Sequence, residues 1–427
     1  MNRRAGPAPA ISLVRVLLLF EASLYAAVTP VLPHYAHALG ASKPAVGVLA
    51  AAYSAGVIPG SLLGGWLAAR VGVRRTTLIG LIVFAGAVGA FGFAANLVAL
   101  DILRVIQGVA CGSIWAGALT WAIAVAPRER RGAVVASVIG AAIFGTLLGP
   151  LLGVFAVAVG TAPVFSIVGV ISLGLALWVR LHPEPAVREP EAEPARAPLA
   201  TLLRSRGLRL GSWLVVLEAM TIGATSALLP LRLSHLGASG LAIGATFLLA
   251  SALSAGLAPL VGRTTDRYGA ARPMAIGLLA SAVLIAVLPV PHSWTLTAAL
   301  SVIVLGGPLT GLMIPAVSLM TDSAERAGLA LVLVTTIINL GYAIGETIGA
   351  PVAASLSTAT SDAVPLVGLS AAMLLSLRWV RAARRGGAAG ARPETNPRSR
   401  INTPPETQAA PETEAPTPVA PRVLTHH

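Results

Sequence analysis

The chain has 427 residues, 56% hydrophobic and only 11% charged, with a mean hydropathy of +0.81. A soluble domain carries roughly 25% charged residues and needs polar groups to cover its surface, so a soluble enzyme, a nucleic-acid reader and a disordered chain are excluded, and lipid is the solvent for most of the sequence. The net charge of +13 comes from 30 basic residues, all arginine except Lys43, and the single cysteine, Cys111, leaves no intramolecular disulfide framework.

A helix needs about 20 apolar residues to cross about 30 Å of hydrocarbon, and twelve such stretches follow in chain order. The first six cover 11–36, 45–69, 76–95, 97–126, 132–158 and 162–181. The second six cover 209–233, 241–261, 273–290, 294–321, 327–356 and 362–382. They lack the alternation of barrel strands, and lipid satisfies no exposed backbone group, so they are read as helices. The first follows Arg3 and Arg4 and carries Ala36-His37-Ala38, which mimics a cleavage site. Its apolar run exceeds the ~7–15 residues of a signal core, so it is expected to persist as the first helix.

Both termini on the cytoplasmic side would place Arg70, Arg74, Arg75, Arg128, Arg130, Arg131, Arg263, Arg267, Arg272 and Arg326 in cytoplasmic loops. The other side holds Lys43 and, at a helix end, Arg232. That asymmetry is the positive-inside pattern. Trp66, Trp121, Trp178, Trp213, Trp294 and Trp379 fall near span ends, as an aromatic belt would. Residues 1–10 form a short cytoplasmic N-terminus, 11–181 one six-helix bundle and 209–382 another. The Pro/Glu/Arg-rich linker 182–208 and the tail 383–427 have too little apolar content to fold, and both are expected to be disordered and cytoplasmic. Heavy Arg, Ala and Gly usage points to a GC-rich bacterial genome and hence to a bacterial plasma membrane.

A shift of 197 residues lays the first half on the second. Glu21-Ala22 falls on Glu218-Ala219, Pro33 on Pro230, and Leu39-Gly40-Ala41-Ser42 on Leu236-Gly237-Ala238-Ser239. Gly47 falls on Gly244, Gly65 on Gly262, and Arg70, Gly72 and Arg75 on Arg267, Gly269 and Arg272. Matches at Glu, Pro and Arg are beyond what Ala/Gly/Leu-rich sequence gives by chance. Each half has six spans, so both keep the same orientation.

On these motifs the chain resembles the major facilitator superfamily over about residues 10–382, and in particular its twelve-helix drug:proton antiporter branch. The loop Gly65-Trp-Leu-Ala-Ala69-Arg70-Val-Gly72-Val-Arg74-Arg75 and its copy Gly262-Arg-Thr-Thr-Asp266-Arg267-Tyr-Gly269-Ala-Ala-Arg272 carry the likeness. So do Arg104-Val-Ile-Gln107-Gly108 on helix four, similar to the family's proton-related motif, and Gly145-Thr-Leu-Leu-Gly149-Pro150-Leu-Leu-Gly153 on helix five, similar to its antiporter motif. The resemblance implies an all-α membrane protein, with twelve transmembrane helices in two six-helix bundles related by a pseudo-two-fold axis along the membrane normal. The sequence departs at Ala69, where an acid is usual, at Val154, and at Glu346 in the helix-eleven counterpart Gly345-Glu346-Thr-Ile-Gly349-Ala350-Pro351.

Ionisable groups inside a membrane cost at least ~2.5–3.5 kcal/mol on insertion scales; here they are Glu21, Asp101, Arg104, Glu218 and Glu346. Glu21 lies about ten residues into its helix, roughly 15 Å at ~1.5 Å per residue, near the midplane. Under two-fold symmetry Glu21 and Glu218 face a shared central cavity, where low dielectric and like charge favour the neutral acid. Each then loads and releases a proton as water reaches it, or bonds a neighbouring helix structurally. Tyr25, one turn on, is placed to donate to Glu21. Arg104 either neutralises Asp101 on the same face or switches between Asp101 and Glu21. Arg104, Gly108, Cys111 and Trp115 form one stripe, a cavity wall or core packing. Asn339, Tyr342 and Glu346 share another face, where Glu346 is a second proton site or an inter-half bond. Gly145, Gly149 and Gly153 permit close helix contact, with Pro150 as a weak point.

The family likeness makes the two loop motifs a cytoplasmic gate. Asp266 is expected to meet Arg130 or Arg131, whereas Ala69 cannot make the equivalent contact with Arg326. His34, His37 and His235 cluster at outer helix ends, as interfacial residues or pH sensors. The expected function is proton-coupled export of small organic, lipophilic or cationic, compounds. The competing readings are efflux of sugars or metabolites, proton-coupled uptake, and a transporter-like receptor. The implied partners are a small-molecule substrate, protons and lipid, for a monomer without nucleic acid, cofactor or metal. Metalloprotease, hydrolase and P-loop signatures are missing.

Overall fold

The computed structural model describes residues 7–127, 130–182, 205–326 and 331–390. Most of the expected linker and tail, with Arg128, therefore lies outside the described residues, as does the side chain of Arg131. Every regular element described is helical. In the first half these are α1 (Pro7–Ala27), a 3-10 turn (Thr29–Val31), α2 (Leu32–Leu39), α3 (Lys43–Val71), α4 (Val73–Phe91), α5 (Leu97–Val125), α6 (Arg131–Val159) and α7 (Thr161–Leu181). In the second they are α8 (Arg206–His235), α9 (Gly240–Tyr268), α10 (Ala271–Val287), α11 (Trp294–Gly306), α12 (Thr310–Arg326), α13 (Leu331–Ala359) and α14 (Ala363–Gly390). Among the described residues eleven helical stretches are long and apolar enough to cross a membrane, and α10 is a shorter apolar helix.

Two expected spans are broken. The first passes from α1 through the 3-10 turn into α2 at Pro30 and Pro33, each lacking the amide hydrogen an α-helix needs. The tenth stops at Gly306 and restarts at Thr310, because Gly307 leaves helical geometry (φ −108, ψ −85) ahead of Pro308.

The repeat extends to the caps. Ser42 and Ser239 accept from the amides of Ala45 and Ala242 at 3.4 and 3.2 Å, and Asn96 and Ser293 accept from those of Ala99 and Leu296 at 2.9 and 3.3 Å. Both pairs keep the offset of 197. Gly72 and Gly269 turn the chain between spans at φ +89 and +76, a region that suits glycine.

Each half builds its own hydrophobic core, one within residues 10–179 and joined by Leu231, the other within 208–380. Glycines draw helices together inside each half. Gly145, Gly149 and Gly153 of α6 lie against the backbone of α1 at Leu19, Ser23 and Ala27, and Gly345 and Gly349 of α13 lie against α8 at Val216 and Met220. A third seam sets Gly56, Gly60 and Gly64 of α3 on α5, whose Gly108 and Gly112 face back. Pro150 sits inside a continuous α6. Between the halves, α13 packs on α3 and α9 on α6. Trp121 is fully buried, so it is a core residue and not part of the expected belt; Trp66 and Trp379 are exposed.

Candidate functional site

Four ionisable side chains are buried where the halves meet: Glu21 is 3% exposed, Arg104 3%, Glu346 4% and Glu218 6%. Glu21, on α1, is held by its own half. It accepts from the Tyr53 hydroxyl and, at 2.8 Å, from Trp115 Nε1, with the Cys111 thiol beside it. Arg104 lies over the Tyr53 ring, 4.5 Å from its centroid, and donates to Gln107 Oε1 at 3.2 Å; Gln107 Nε2 in turn donates to the Ala87 carbonyl at 3.3 Å. The stripe of Arg104, Cys111 and Trp115 on α5 is thus the wall against which Glu21 sits.

Glu346, on α13, is bonded across the halves. Its Oε1 accepts from the Tyr25 hydroxyl and its Oε2 from the Ser54 hydroxyl. Tyr25 packs on Tyr53 with ring centroids 5.3 Å apart, so the two carboxyls share one aromatic wall. Tyr342 lies against Tyr25. Glu218 lies within reach of the charge of Glu346, and its Oε2 has no hydrogen-bond partner.

Several expected pairings differ. Tyr25 donates to Glu346 and not to Glu21, because it points across the interface while Tyr53 occupies the place beside Glu21. Arg104 forms no ion pair with Asp101 or Glu21: Asp101 Oδ1 is buried without a partner, and the guanidinium is taken up by Tyr53 and Gln107. The acid facing Glu218 is Glu346, one half's own pair, and not Glu21. Asn339 is half-buried. Reasoning from sequence passed over Tyr53 and Ser54. Their signal was a polar pair inside an apolar span, one helical turn from the glycines of the seam with α5.

The halves are clasped at one end. Lys43 Nζ, at the start of α3, lies 2.9 Å from Asp362 Oδ1 and 3.3 Å from Ser357 Oγ, and Ser357 also donates to Asp362. Arg232, at the end of α8, lies 3.5 Å from Asp362 Oδ2 and donates to the carbonyls of Pro289 and Pro291. The two basic residues that broke the charge asymmetry thus share one carboxylate. Burial alone would push the Asp362 carboxyl up, but bonds from Ser357 and Lys43 and the charges of Lys43 and Arg232 hold it below the usual aspartate range. Nearby, His34, His37 and Ser234 line a cavity of about 480 Å³ between the halves, and His37 Nε2 is 3.4 Å from Ser234 Oγ. His235 is exposed.

At the other end the described contacts of the arginines stay within their own halves. Arg70 lies on Trp66 and Arg74 donates to the carbonyls of Arg180 and His182. Arg267 and Arg272 flank Tyr268, and Arg326 donates to Ser323 at 3.3 Å. Arg75 and Arg130 are exposed. Asp266 forms no ion pair with a described side chain, so the expected contact with Arg130 is absent. Gly65 and Gly262 have open space where a side chain would go.

A model of the Major Facilitator Superfamily matches residues 15–346 and 212–418. The uncharacterized MFS-type transporter YcaD, from Escherichia coli O9:H4 (strain HS) and from Escherichia coli K12 / DH10B, is 27% identical over 226 residues, or 52% of this chain. The match spans 58% of the length of those curated relatives. Two solved structures of a bacterial homolog to the human lysosomal transporter Spinster, inward-facing and either unoccupied or occupied, superpose with TM-scores of 0.71 and 0.68. Each covers 88% of this chain and 97% of its own at 15% identity, a likeness of fold.

Proposed function

Because the chain belongs to the major facilitator superfamily, a family of membrane transporters and not of enzymes, we propose that it is a proton-coupled antiporter that exports small organic compounds by alternating access. Residues 11–181 and 209–382 are the two moving domains, the arginine-bearing loops face the cytoplasm with both termini, and the protein sits as a monomer in the bacterial inner membrane. The observation that carries this is a carboxyl pair at the domain interface: Glu21 bonded within its domain and Glu346 bonded across it.

The described contacts between the domains run from the clasp at Lys43 to the level of Glu346, the arrangement of an inward-facing state. In it Glu346 accepts two hydroxyls, one on each carboxyl oxygen. A proton would turn one accepting oxygen into a donor, so Tyr25 or Ser54 must rotate or let go. Water arriving from one side at a time then ties proton transfer to separation of the domains. Arg104, fixed on Tyr53, steadies the charge of Glu21 without neutralising it by direct contact. The outward-facing state breaks the clasp and forms a cytoplasmic lock, in which Asp266 meets the start of α6. The small-residue stripe Gly145, Gly149 and Gly153 keeps α6 rigid on α1 while this happens.

The test is transport in vesicles with an imposed pH gradient, after a substrate screen in an efflux-deficient cell. Wild type should extrude substrate against its gradient only when protons run the other way. Glu21→Gln and Glu346→Gln should each lose uphill transport while retaining exchange. Uphill transport by both variants at the wild-type rate would remove the proton role, and movement with the proton would make the protein an uptake system.

A further inference from the structure

The two seams between the halves, α3 with α13 and α9 with α6, are duplicates that are closed in different ways. Gly47 on α3 and its duplicate Gly244 on α9 are both buried, one in each seam. A Cβ at Gly47 would fall 2.7 Å from Ala354 Cβ and 2.9 Å from the Ala350 carbonyl oxygen of α13. A Cβ at Gly244 would overlap Val154 Cγ2 of α6. Val154 and Ala354 are counterparts as well, each five residues after a glycine of its helix's stripe, Gly149 and Gly349. One seam therefore lays a methyl group on bare glycine backbone, and the other lays an isopropyl group there. Charge is distributed the opposite way. Lys43, one turn before Gly47, fastens the first seam to Asp362. Its duplicate is Gly240, and among the described residues no ion pair joins α6 to α9.

The uncharged seam is also where the cavity at the Lys43 end lies. Val157, Gly240 and Ile243 line it, as do Pro30 and Pro33, at which the first span breaks. Helix α6 runs toward this end and α9 runs away from it. Val154, one turn before Val157, and Gly244, next after Ile243, therefore lie directly beneath the cavity.

Valine keeps one strongly preferred χ1 in a helix, so the knob does not swing aside on its own. Close-packed interfaces change between discrete arrangements and do not deform smoothly, which leaves Val154 either seated on Gly244 or withdrawn from it. We propose that Val154 is a gating residue: seated on Gly244 it is the floor of the cavity and holds α6 to α9, and it is withdrawn as the outward-facing state forms. This seam is held by shape, where its duplicate is held by charge. The reading rests on the alternating access proposed above and adds the residue that shuts the second seam.

The experiment is a distance measurement across that seam in the purified full-length protein in detergent, with neither cargo nor gradient, so it reads conformation and not coupling or direction. Spin labels at Val159 and Leu241, both exposed, report α6 against α9. Wild type should show a short distance. Gly244→Ala puts a methyl group where Val154 sits and should shift the population to a longer distance. Adding Val154→Gly gives the room back, so the double variant should recover the short distance. Should Gly244→Ala fail to fold, Val154→Ala trims the knob without adding bulk and should also raise the share of the longer distance. A contact that only packs would lower the melting temperature in these variants and leave the distance where it was. A distance that stays short in Gly244→Ala, or in Val154→Ala where that variant stands in for it, overturns the proposal, as does a double variant that stays long. A seam that opens in Gly244→Ala and closes again in the double variant, in a protein that moves nothing against a proton gradient, supports the gate and removes only the proton-coupled reading.

Discussion

Glu346 receives one hydroxyl from α1 and one from α3, while its own helix belongs to the other half. Tyr25→Phe and Ser54→Ala each remove one donor and leave a buried acceptor, a change worth about 1–3 kcal/mol. Either variant should lower unfolding stability in detergent by that amount. In a Glu346→Ala background the cost of Tyr25→Phe should nearly vanish, because residues that share a bond are not additive; equal costs in both backgrounds would mean that the bond is not made. Trp115→Phe removes the N–H that Glu21 accepts from and also trims the indole to a smaller phenyl ring, so it should destabilise by at least a similar amount. At this scale the sequence was readable for charge and mute for partners. Glu21, Arg104, Glu218 and Glu346 are conspicuous because lipid makes ionisable groups costly. A tyrosine or serine in a membrane helix is ordinary, so Tyr53 and Ser54 become informative only once α3 lies beside α1 and α13.

Helix contacts here are made by glycine, since lipid supplies no hydrophobic drive between helices and close backbone approach must replace it. A side chain at Gly145 would run into the Leu19 backbone and one at Gly149 into Ser23 and Ala26, whereas Gly86 has open space. Gly145→Val and Gly149→Leu should therefore cost roughly 1–3 kcal/mol or more, read as lost yield and a lower melting temperature, while Gly86→Ala leaves both unchanged. The stripe on span five was legible because its spacing of four puts small residues on one face; Gly345 and Gly349 have the same spacing on span eleven but stand three residues out of step with the offset of 197. The seam between α3 and α5 has the same spacing at Gly56, Gly60 and Gly64 and was equally available. The breaks in spans one and ten also had local causes, Pro30 with Pro33 and Gly307 with Pro308. A count of apolar residues blurs such breaks, since hydropathy is indifferent to whether the backbone continues as one helix.

Taken as a molecule, two cores meet along α3 with α13 and α6 with α9, and the meeting is fastened at the Lys43 end. The duplication was legible as a fixed offset in Glu, Pro, Gly and Arg. The fastening was not: Asp362 sits in a short turn after span eleven, and nothing in the sequence brings it to Lys43 and Arg232. The carboxyl of Asp362 is held low, so its attraction is present at every pH above the ordinary aspartate value and is lost as pH falls through its own lowered one. Spin labels at Ala41 and Thr360 should keep a short distance through neutral and mildly acid solution and separate only below about pH 3.9. Asp362→Asn should separate them at pH 7. A distance that opens in wild type near pH 6, or stays closed in Asp362→Asn, would mean that the triad does not hold the halves.

Asp362 and Arg232 belong to the same half, and Arg232 is further tied to Pro289 and Pro291. When the halves part, those two stay together and Lys43 alone loses its partner. A lone, partly exposed attraction is weakened by dissolved ions, while hydroxyl bonds to a buried carboxyl are not. Ionic strength therefore becomes a one-sided throttle: added salt in the medium bathing the Lys43 face should hasten opening toward it, and the same salt across the bilayer should leave the rate where it was.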